Sequence, residues 1–559
     1  MTTEEIQWSY FKQLLMNKAD TILKSTNIYI GIGNSLLSGF VAVKDGKVLY
    51  VGKIDELDDY INTNTKIIDF KDKLIMPGIH DGHLHFFMSG LYASDKVKVS
   101  YTDRSEEECV NGLKEIEGKN TKDEWMIGAG WYHTLWDKPK LPTKHSLDKV
   151  YPNRPVAMFS YDCHTLWINS AGLKKLNIDK NYPDIDGGII DRDENGEPLG
   201  TFHEAAYAKL LQEIYDFDKD YIKDFYKSFI YSLNSYGITS VCDMSMTQNP
   251  GNDFIRDDIF KELEDENELT IRIHMYPSLA NGFDRPNIMR DKYKGPYLFC
   301  NGVKAFFDGV SSCHTAWLFE PYSNAYYEGD VGSTITSPDK MKEYVLLSHK
   351  NDFSIRVHTI GDKAISKMID YIIEAKEKYG DKPYLQHTLE HLENLNEEDI
   401  SRLASNNIIP SVQPAHSVFD MEGVEKDLGK ERIELMWPFR SELDTGCILA
   451  FGTDSPVVDI NPFYGIYNAV TRKHTFTRFP ANGWIPKERI TVFEAISAYT
   501  YGSACASNAS ALYGTLEIGK YADICVLDRN ICMIDPEEIP QTKCIFTMVG
   551  GKVVYENNR

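Results

Sequence analysis

The middle of this 559-residue chain alternates short apolar runs with helical segments, and this rhythm restricts the fold more than any other feature. Such alternation indicates parallel strands joined by crossover helices, that is, an α/β architecture. We count eight strands, at residues 74–79, 239–242, 270–275, 303–307, 354–357, 385–389, 408–412 and 448–451. Eight parallel strands close most economically into a (β/α)8 TIM barrel, with a doubly wound sheet as the structural alternative.

Both ends of the chain have a different pattern, made of short strand-like runs and tight turns. These runs are residues 28–30, 40–43 and 48–51 near one end, and 522–527, 545–549 and 553–555 near the other. Neither end alone has enough strands to be stable. We therefore predict one small β-sandwich domain formed by residues 1–73 and 514–559.

The barrel is accordingly predicted over residues 74–513, with one anomalous connection. Residues 100–212, which follow the first barrel strand, are rich in Trp, Tyr, Pro and Asp and hold further strand-like runs. Because this segment is too long for an ordinary βα loop, we interpret it as a subdomain inserted at the mouth of the barrel.

Charge and composition exclude several classes of partner. The formal net charge is -23, which argues against nucleic acid. No window reaches ~18 consecutive apolar residues, so no membrane partner is expected. The ten cysteines include no CxxC pair, and the acidic N-terminus lacks the pattern of a signal peptide. These features predict a reduced, cytoplasmic protein.

Candidate metal ligands stand at the carboxyl ends of the predicted strands, where barrel enzymes place their active sites. His83 and His85 are two residues apart in an extended segment, so both imidazoles can face one ion. The ends of strands five, six and eight carry His358, His391 and Asp454, and strand four carries Lys304. Converging imidazoles and a carboxylate are what a divalent-ion site requires.

At these residues the chain resembles the amidohydrolase superfamily, specifically its YtcJ-like and N-substituted formamide deformylase-like branch. The resemblance extends over nearly the whole chain. Its most specific segments are residues 77–85, 156–170, 237–241, 303–309, 358–362, 453–457 and 461–472. Two segments depart from the family's pattern: Cys163 stands where a glycine is common, and residues 311–314 replace a glycine-serine-arginine stretch. Because of both departures, the identity of the substrate stays open.

The resemblance implies one or two divalent ions per chain, with zinc as the first expectation. It assigns the metal ligands to His83, His85, Lys304, His358, His391 and Asp454. Lys304 would be carboxylated and bridge two ions, whereas the alternative is a plain ammonium paired with Asp308. Asp454 would also be the general base.

The implied reaction is hydrolysis of a carbon–nitrogen bond in a small-molecule amide by metal-activated water. Asp454 would accept a proton from the nucleophile and return it to the leaving amine. His164 would donate a hydrogen bond to the oxyanion, or else serve as a structural partner of Asp162. Substrate contacts are predicted for Asp162, Trp131, Asp308 and His314, although an aromatic side chain such as Trp131 is more often part of a core.

Two other functions stay open at this point, as does a homodimer. The first is deamination of an amidine or heterocycle, which usually uses one ion and no bridging lysine, so Lys304 counts against it. The second is a non-catalytic binding or regulatory protein, against which the intact set of candidate ligands argues.

Overall fold

The computed structural model describes residues 18–100, 102–119, 124–161, 163–247 and 252–557. Its centre consists of two parallel sheets, so the predicted α/β architecture is confirmed. The four-stranded sheet has the order Leu298–Phe299, Arg272–Tyr276, Ile238–Met244 and Ile79–Leu84. The five-stranded sheet has the order Gly302–Phe306, Ser354–Thr359, His387–His391, Ile408–Val412 and Ala450–Phe451.

The two parallel sheets approach each other at both edges. A single parallel bridge joins Leu84 to Ser455, and another joins Ser278 to Lys304. These bridges bring the strand ends of both sheets to one region, which is where the candidate ligands lie. A fully closed eight-stranded barrel stays a prediction.

Amphipathic helices cover these sheets. In Lys219–Ser235, for example, Ile222, Phe225, Phe229 and Leu233 recur at helical spacing and are buried. The α-helices are Phe86–Tyr92, Glu106–Gly112, Lys144–Val150, Ser170–Lys175, Ala205–Ala208, Leu211–Ile214, Lys219–Ser235, Asp257–Asp265, Asp284–Lys292, Pro338–Lys350, Asp362–Tyr379, Glu397–Ser405, Met421–Leu428, Phe439–Asp444, Pro462–Thr471, Val492–Ser497 and Ser503–Ala506. None of the helices in the described residues is long and apolar enough to cross a membrane.

Strands from both ends of the chain form one eight-stranded sheet, which we call the terminal sheet. Its strands are Thr21–Ile28, Leu37–Lys44, Lys47–Lys53, Lys66–Asp69, Leu74–Pro77, Ile524–Leu527, Cys544–Val549 and Lys552–Glu556. A buried cluster draws on both ends, including Val41, Ile75, Val526 and Phe546. The finer description as a sandwich stays a prediction, and residues 1–17 of the predicted domain lie outside the described residues.

The predicted first barrel strand, residues 74–79, requires a correction. Leu74–Pro77 belongs to the terminal sheet, where it pairs antiparallel with Ile524–Leu527, and the barrel strand is Ile79–Leu84. At Gly78 a Cβ atom would collide with the side chain of Thr239, so the chain passes closely beneath its neighbour there. The apolar run is continuous through this change of sheet, which is why the sequence pattern does not reveal it.

The segment between the first two barrel strands forms a six-stranded sheet. Its strands are Val97–Val99, Met126–Trp131, Val156–Ser160, Thr165–Ile168, Gly188–Arg192 and Pro198–Glu204. A separate apolar cluster that includes Leu113, Trp131, Leu147 and Trp167 packs on this sheet. The predicted insertion therefore has a core of its own.

Candidate metal centre

The end of strand Ile79–Leu84 supplies two histidines whose rings are fixed by hydrogen bonds. His83 is fully buried, and its Nδ1 lies 2.6 Å from Oε2 of Glu390. Nδ1 of His85 lies 3.0 Å from the carbonyl oxygen of Met244. Because Nδ1 donates in both rings, each Nε2 is left to bind an ion. The two Nε2 atoms lie 3.4 and 3.3 Å from Oδ1 of Asp454.

Asp454 is held against His83 by its backbone. Its φ angle is 59°, a left-handed conformation that is uncommon for a non-glycine residue, and its N–H donates to the His83 carbonyl at 2.7 Å. Gly452 allows this approach, since a Cβ there would collide with the His83 backbone. The buried carboxylate of Asp81 accepts hydrogen bonds from the backbone N–H and the hydroxyl of Thr453, at 2.9 and 2.6 Å.

The five-stranded sheet contributes His358 and His391. Nδ1 of His391 donates to Oε1 of Gln413 at 2.8 Å and lies 3.8 Å from Oδ2 of Asp454. His391 also has a positive φ angle, 76°. The rings of His358 and His391 are 4.5 Å apart, and Nε2 of His358 lies 3.2 Å from the carbonyl oxygen of Gly309.

Lys304 lies on strand Gly302–Phe306 and is 1% exposed. Among the described residues its Nζ has no hydrogen-bond partner, so the predicted alternative, pairing with Asp308, is not what the structure shows. Burial lowers the pKa of Lys304 to about 8, although Glu390 and Asp454 oppose the shift.

The electrostatics of this cluster favour neutral imidazoles beside an ionised carboxylate. Burial lowers the pKa of His83 to about 4, with Lys304 as the second cause. Burial also holds the pKa values of His358 and His391 well below their ordinary range. Burial alone would raise the pKa of Asp454, but the neighbouring imidazoles hold it well below its usual range. Neutral imidazole and ionised carboxylate are the forms that bind metal.

The donor set fits a divalent ion. Potential ligand atoms of His83, His391 and Asp454 all lie within 4.8 Å of one another. Within the described part of the chain, Nε2 of His83, Oδ1 of Asp454 and Nζ of Lys304 are buried without hydrogen bonds. Unpaired buried polar atoms are costly, and an ion would satisfy nitrogen and oxygen donors together.

Behind the ligands, a buried network positions His83. Glu390 accepts from His83 on one oxygen, and its other oxygen lies 2.6 Å from Nε of Arg356. Arg356 also donates to Oγ of Ser411 at 2.9 Å. Although burial alone would raise the pKa of Glu390, Arg356 and His83 hold it below its usual range. This carboxylate therefore stays ionised and fixes the His83 tautomer.

Of the other predicted site residues that the structure describes, only His164 lies beside the cluster. Its ring is 5.8 Å from that of His358, and its Nδ1 lies 2.8 Å from Oε2 of Glu204. Asp162 lies outside the described residues.

Three residues that were predicted to contact the substrate make hydrogen bonds within the protein. Trp131 is buried in the core of the inserted sheet, where its indole donates to the Met158 carbonyl at 3.0 Å. Asp308 is fully buried and accepts backbone hydrogen bonds from Trp317, Ile360 and Gly361, at 2.8 to 3.0 Å. Nδ1 of His314 is bound to Asp330 at 2.7 Å, and its ring stacks between Tyr322 and Tyr326.

Sequence reasoning missed several residues of this site, namely Asp81, Arg356, Glu390, Glu393, Gln413 and His416. His416 follows strand Ile408–Val412, the predicted seventh strand, for which no site residue was named. Its Nε2 lies 3.9 Å from Oδ2 of Asp454. Glu390 and Glu393 flank His391 in the sequence, and that proximity was the available signal.

Two cavities, each with an empty volume of about 770 Å³, meet at the cluster and share His164, His358, His391 and Asp454. We call the first the aromatic chamber, since Tyr132, Tyr161, Phe419 and Trp437 contribute to its wall. We call the second the methionine chamber, since Met88 and Met246 contribute to its wall together with Glu204 and Lys304. The candidate ligands are therefore reachable from two sides.

A model of the amidohydrolase family matches residues 66–555, nearly the whole chain. The chain belongs to this family. It is 28% identical to YtcJ of Bacillus subtilis (strain 168), over 93% of this chain and 96% of that protein. It is 24% identical to the N-substituted formamide deformylase of Arthrobacter pascens, over 96% of this chain and 98% of that enzyme. These relatives place this amidohydrolase in the YtcJ-like branch.

A solved structure is similar over most of the chain. It is that of an uncharacterized metal-dependent hydrolase from Pyrococcus furiosus, with a TM-score of 0.71 and 26% identity, covering 92% of this chain and 99% of that chain. The amidohydrolase thus has a TIM-barrel-like α/β fold, and its family supports a hydrolase.

Proposed function

We propose that this amidohydrolase cleaves the carbon–nitrogen bond of a small-molecule amide. The observation that carries the proposal is the group of unpaired buried atoms on His83, Lys304 and Asp454, next to two cavities. The deformylase named above acts on N-substituted formamides, and its similarity over almost the whole chain supports a non-peptide amide.

In this proposal His83, His85, Lys304, His358, His391 and Asp454 hold one or two zinc ions. A bound divalent ion supplies Lewis acidity and lowers the pKa of a water molecule. Asp454, whose Oδ1 faces the His83 and His85 rings, accepts a proton from the attacking water and returns it to the leaving amine. His164, whose Nδ1 lies 2.8 Å from Oε2 of Glu204, donates from Nε2 to the developing oxyanion in its doubly protonated form.

We also propose that Lys304 is carboxylated. Its amine is buried without a hydrogen-bond partner among the described residues, and burial disfavours the ammonium form. A neutral amine can take up carbon dioxide to become a carbamate, an oxygen ligand suited to bridging two ions. The alternative deaminase function usually needs no such lysine, so Lys304 favours the hydrolase.

The test is a panel of N-formyl, N-acyl and cyclic amides incubated with the zinc-loaded protein, with amine release as the readout. We expect turnover of at least one class, and loss of it after chelation. Full activity after chelation and without added metal would overturn the metal-dependent mechanism. Release of ammonia from amidines with no amide turnover would favour deamination instead.

A further inference from the structure

Two neighbouring strands of the inserted sheet bring a pair of contacting side chains, His164 and Glu204, to the metal centre. The backbone N–H of Glu204 donates to the His164 carbonyl at 3.1 Å, and the Glu204 carboxylate lies 2.8 Å from Nδ1 of His164. The two residues are therefore joined by their backbones as well as by their side chains, which fixes the imidazole ring relative to the sheet.

Both oxygens of the Glu204 carboxylate are used, and its side chain is 6% exposed. While Oε2 binds the imidazole, Oε1 accepts from Oγ1 of Thr315 at 3.0 Å. Thr315 lies in the loop that follows strand Gly302–Phe306. Gly309 in this loop makes room, since a Cβ there would collide with the Thr315 hydroxyl and come within 3.0 Å of Oε1. The carboxylate is thus held between the inserted sheet and a loop of the barrel.

The backbone on both sides of this pair has an uncommon conformation. Glu204 has φ and ψ angles of 53° and -128°, and Cys163, directly before His164, has a φ angle of 59°. Positive φ angles are uncommon for residues other than glycine and persist only where surrounding contacts hold them. Such residues cluster at functional sites, where a side chain has to be placed accurately.

The ring that is held in this way lies where the two chambers meet. It is 5.8 Å from the ring of His358, and His164 contributes to the wall of both chambers. Since Nδ1 is bound to Glu204, contact of the ring with a substrate is made through Nε2. The direction of Nε2 therefore depends on where Glu204 holds Nδ1.

We propose that Glu204 is a positioning residue, which holds the His164 ring at the junction of the chambers with Nε2 toward the substrate carbonyl. Glu204 also lines the methionine chamber, but both of its oxygens are engaged, so it acts through His164. This inference rests on the proposed amidase function and deepens it, because it names the residue that orients the oxyanion donor.

The first test is a double-mutant cycle with the zinc-loaded protein and an amide that the wild type hydrolyses. His164→Ala should lower kcat about 100- to 1,000-fold and Glu204→Ala about 10- to 100-fold. KM should change little, because the oxyanion contact is made in the transition state. In the His164→Ala background, Glu204→Ala should cost nothing further. A loss of the same size in both backgrounds would indicate a structural role alone and overturn the inference.

A conservative variant tests whether position is what matters. Glu204→Gln keeps an oxygen for Nδ1 of His164, and its amide can donate to Oγ1 of Thr315, whose hydroxyl lies 3.2 Å from the Val310 carbonyl. Glu204→Gln should therefore keep more of kcat than Glu204→Ala. Equal losses in the two variants would contradict positioning.

The matched control is Asp191→Ala in the same sheet. Oδ2 of Asp191 lies 2.9 Å from Nε2 of His203, the residue before Glu204, so this change also removes a carboxylate from an imidazole. It leaves the His164 contact intact, and kcat should stay at the wild-type value. A loss as large as that of Glu204→Ala would show that kcat reports the stability of the sheet, and it would overturn the inference.

The second test does not depend on turnover. In crystals of zinc-loaded Glu204→Ala, the His164 ring should leave its place 5.8 Å from the His358 ring or occupy more than one rotamer, whereas it should stay in Asp191→Ala. An unmoved ring would overturn the inference and leave the amidase function standing. If the ring moves and the wild type hydrolyses no amide, the positioning of His164 holds and the amidase proposal fails.

Discussion

Three of the histidines at the metal centre commit Nδ1 to a protein acceptor and keep Nε2 available. The acceptors are the Glu390 carboxylate for His83, the Met244 carbonyl for His85 and the Gln413 amide for His391. These bonds fix the tautomer and the ring orientation before any ion arrives, which reduces the cost of binding.

Replacing Glu390 tests this orientation at the scale of one residue. Glu390→Gln removes the anionic partner of His83 and leaves Arg356 without its carboxylate. We expect zinc affinity to fall about 10- to 100-fold, measured by competition with a chromogenic chelator. The exposed Glu397→Gln should bind zinc like the wild type. Unchanged affinity in Glu390→Gln would show that His83 is oriented without it.

Lys304 offers a second test at this scale. Lys304→Ala should lose one zinc equivalent by elemental analysis, and short carboxylates with bicarbonate should restore part of the activity. Lys304→Arg should not be restored, because guanidinium stays charged and cannot be carboxylated. One zinc per chain together with an unmodified lysine by mass spectrometry would contradict the bridged form and leave a one-ion hydrolase.

Among the secondary-structure elements, a buried pair of histidines joins helix Pro338–Lys350 to strand His387–His391. The N–H of Ile355 donates to Nδ1 of His387, Nε2 of His387 to Nδ1 of His349, and Nε2 of His349 to the Gly380 carbonyl. In this series of hydrogen bonds, every ring nitrogen has a partner only if both rings are neutral. Burial, followed by His349, lowers the pKa of His387 to about 3.

This pair predicts a loss of stability in acid. Because the folded-state pKa of His387 lies below the unfolded value near 6.5, the unfolded chain binds more protons as the pH falls below about 6.5. The stabilisation is full above that pH and decreases toward pH 3. His387→Gln should make the free energy of unfolding in urea less dependent on pH between 7 and 5. An unchanged slope would indicate that other groups control the acid transition.

The terminal sheet is linked to the parallel sheets by a buried ion pair. Arg272, on strand Arg272–Tyr276, has its Nε 2.6 Å from Oδ2 of Asp523, and its second bond to Asp523 is 2.9 Å long. Arg272→Met would leave Asp523 as an unpaired buried charge and should cost about 3–5 kcal/mol of unfolding free energy. Arg272→Met with Asp523→Leu should cost less in the same urea titration. Equal losses would contradict this explanation.

The sequence patterns predicted where the strands lie better than they predicted which strands pair in a sheet. The other seven predicted strands overlap strands of the parallel sheets, because apolar periodicity reports burial directly. That Leu74–Pro77 belongs to the terminal sheet could not be read from the pattern, since a buried strand has the same pattern in any sheet. Glu390 and Gln413 were missed because their roles depend on contacts between strands rather than on strand ends alone.

For the whole molecule, ion binding should be part of folding stability. The centre joins strand ends from both parallel sheets, so an ion held there stabilises the folded form by mass action, by about 2.7 kcal/mol at a hundred times the dissociation constant. The melting temperature should rise with added zinc and fall with a chelator. His83→Ala with His85→Ala should melt at a temperature that responds much less to either. A zinc-independent melting temperature in the wild type would contradict this coupling.

The terminal sheet also has a consequence for the order of events during synthesis. Strand Leu74–Pro77 pairs with Ile524–Leu527, a segment that leaves the ribosome more than 400 residues later. At ordinary elongation rates the earlier strand waits roughly 20 to 90 s for this neighbour. The residue that follows Leu74–Pro77 leads directly into the strand that carries His83 and His85. His83 and His85 are therefore anchored by a segment made more than 400 residues after the strand that precedes them, and a product terminated before that segment would lack the anchor.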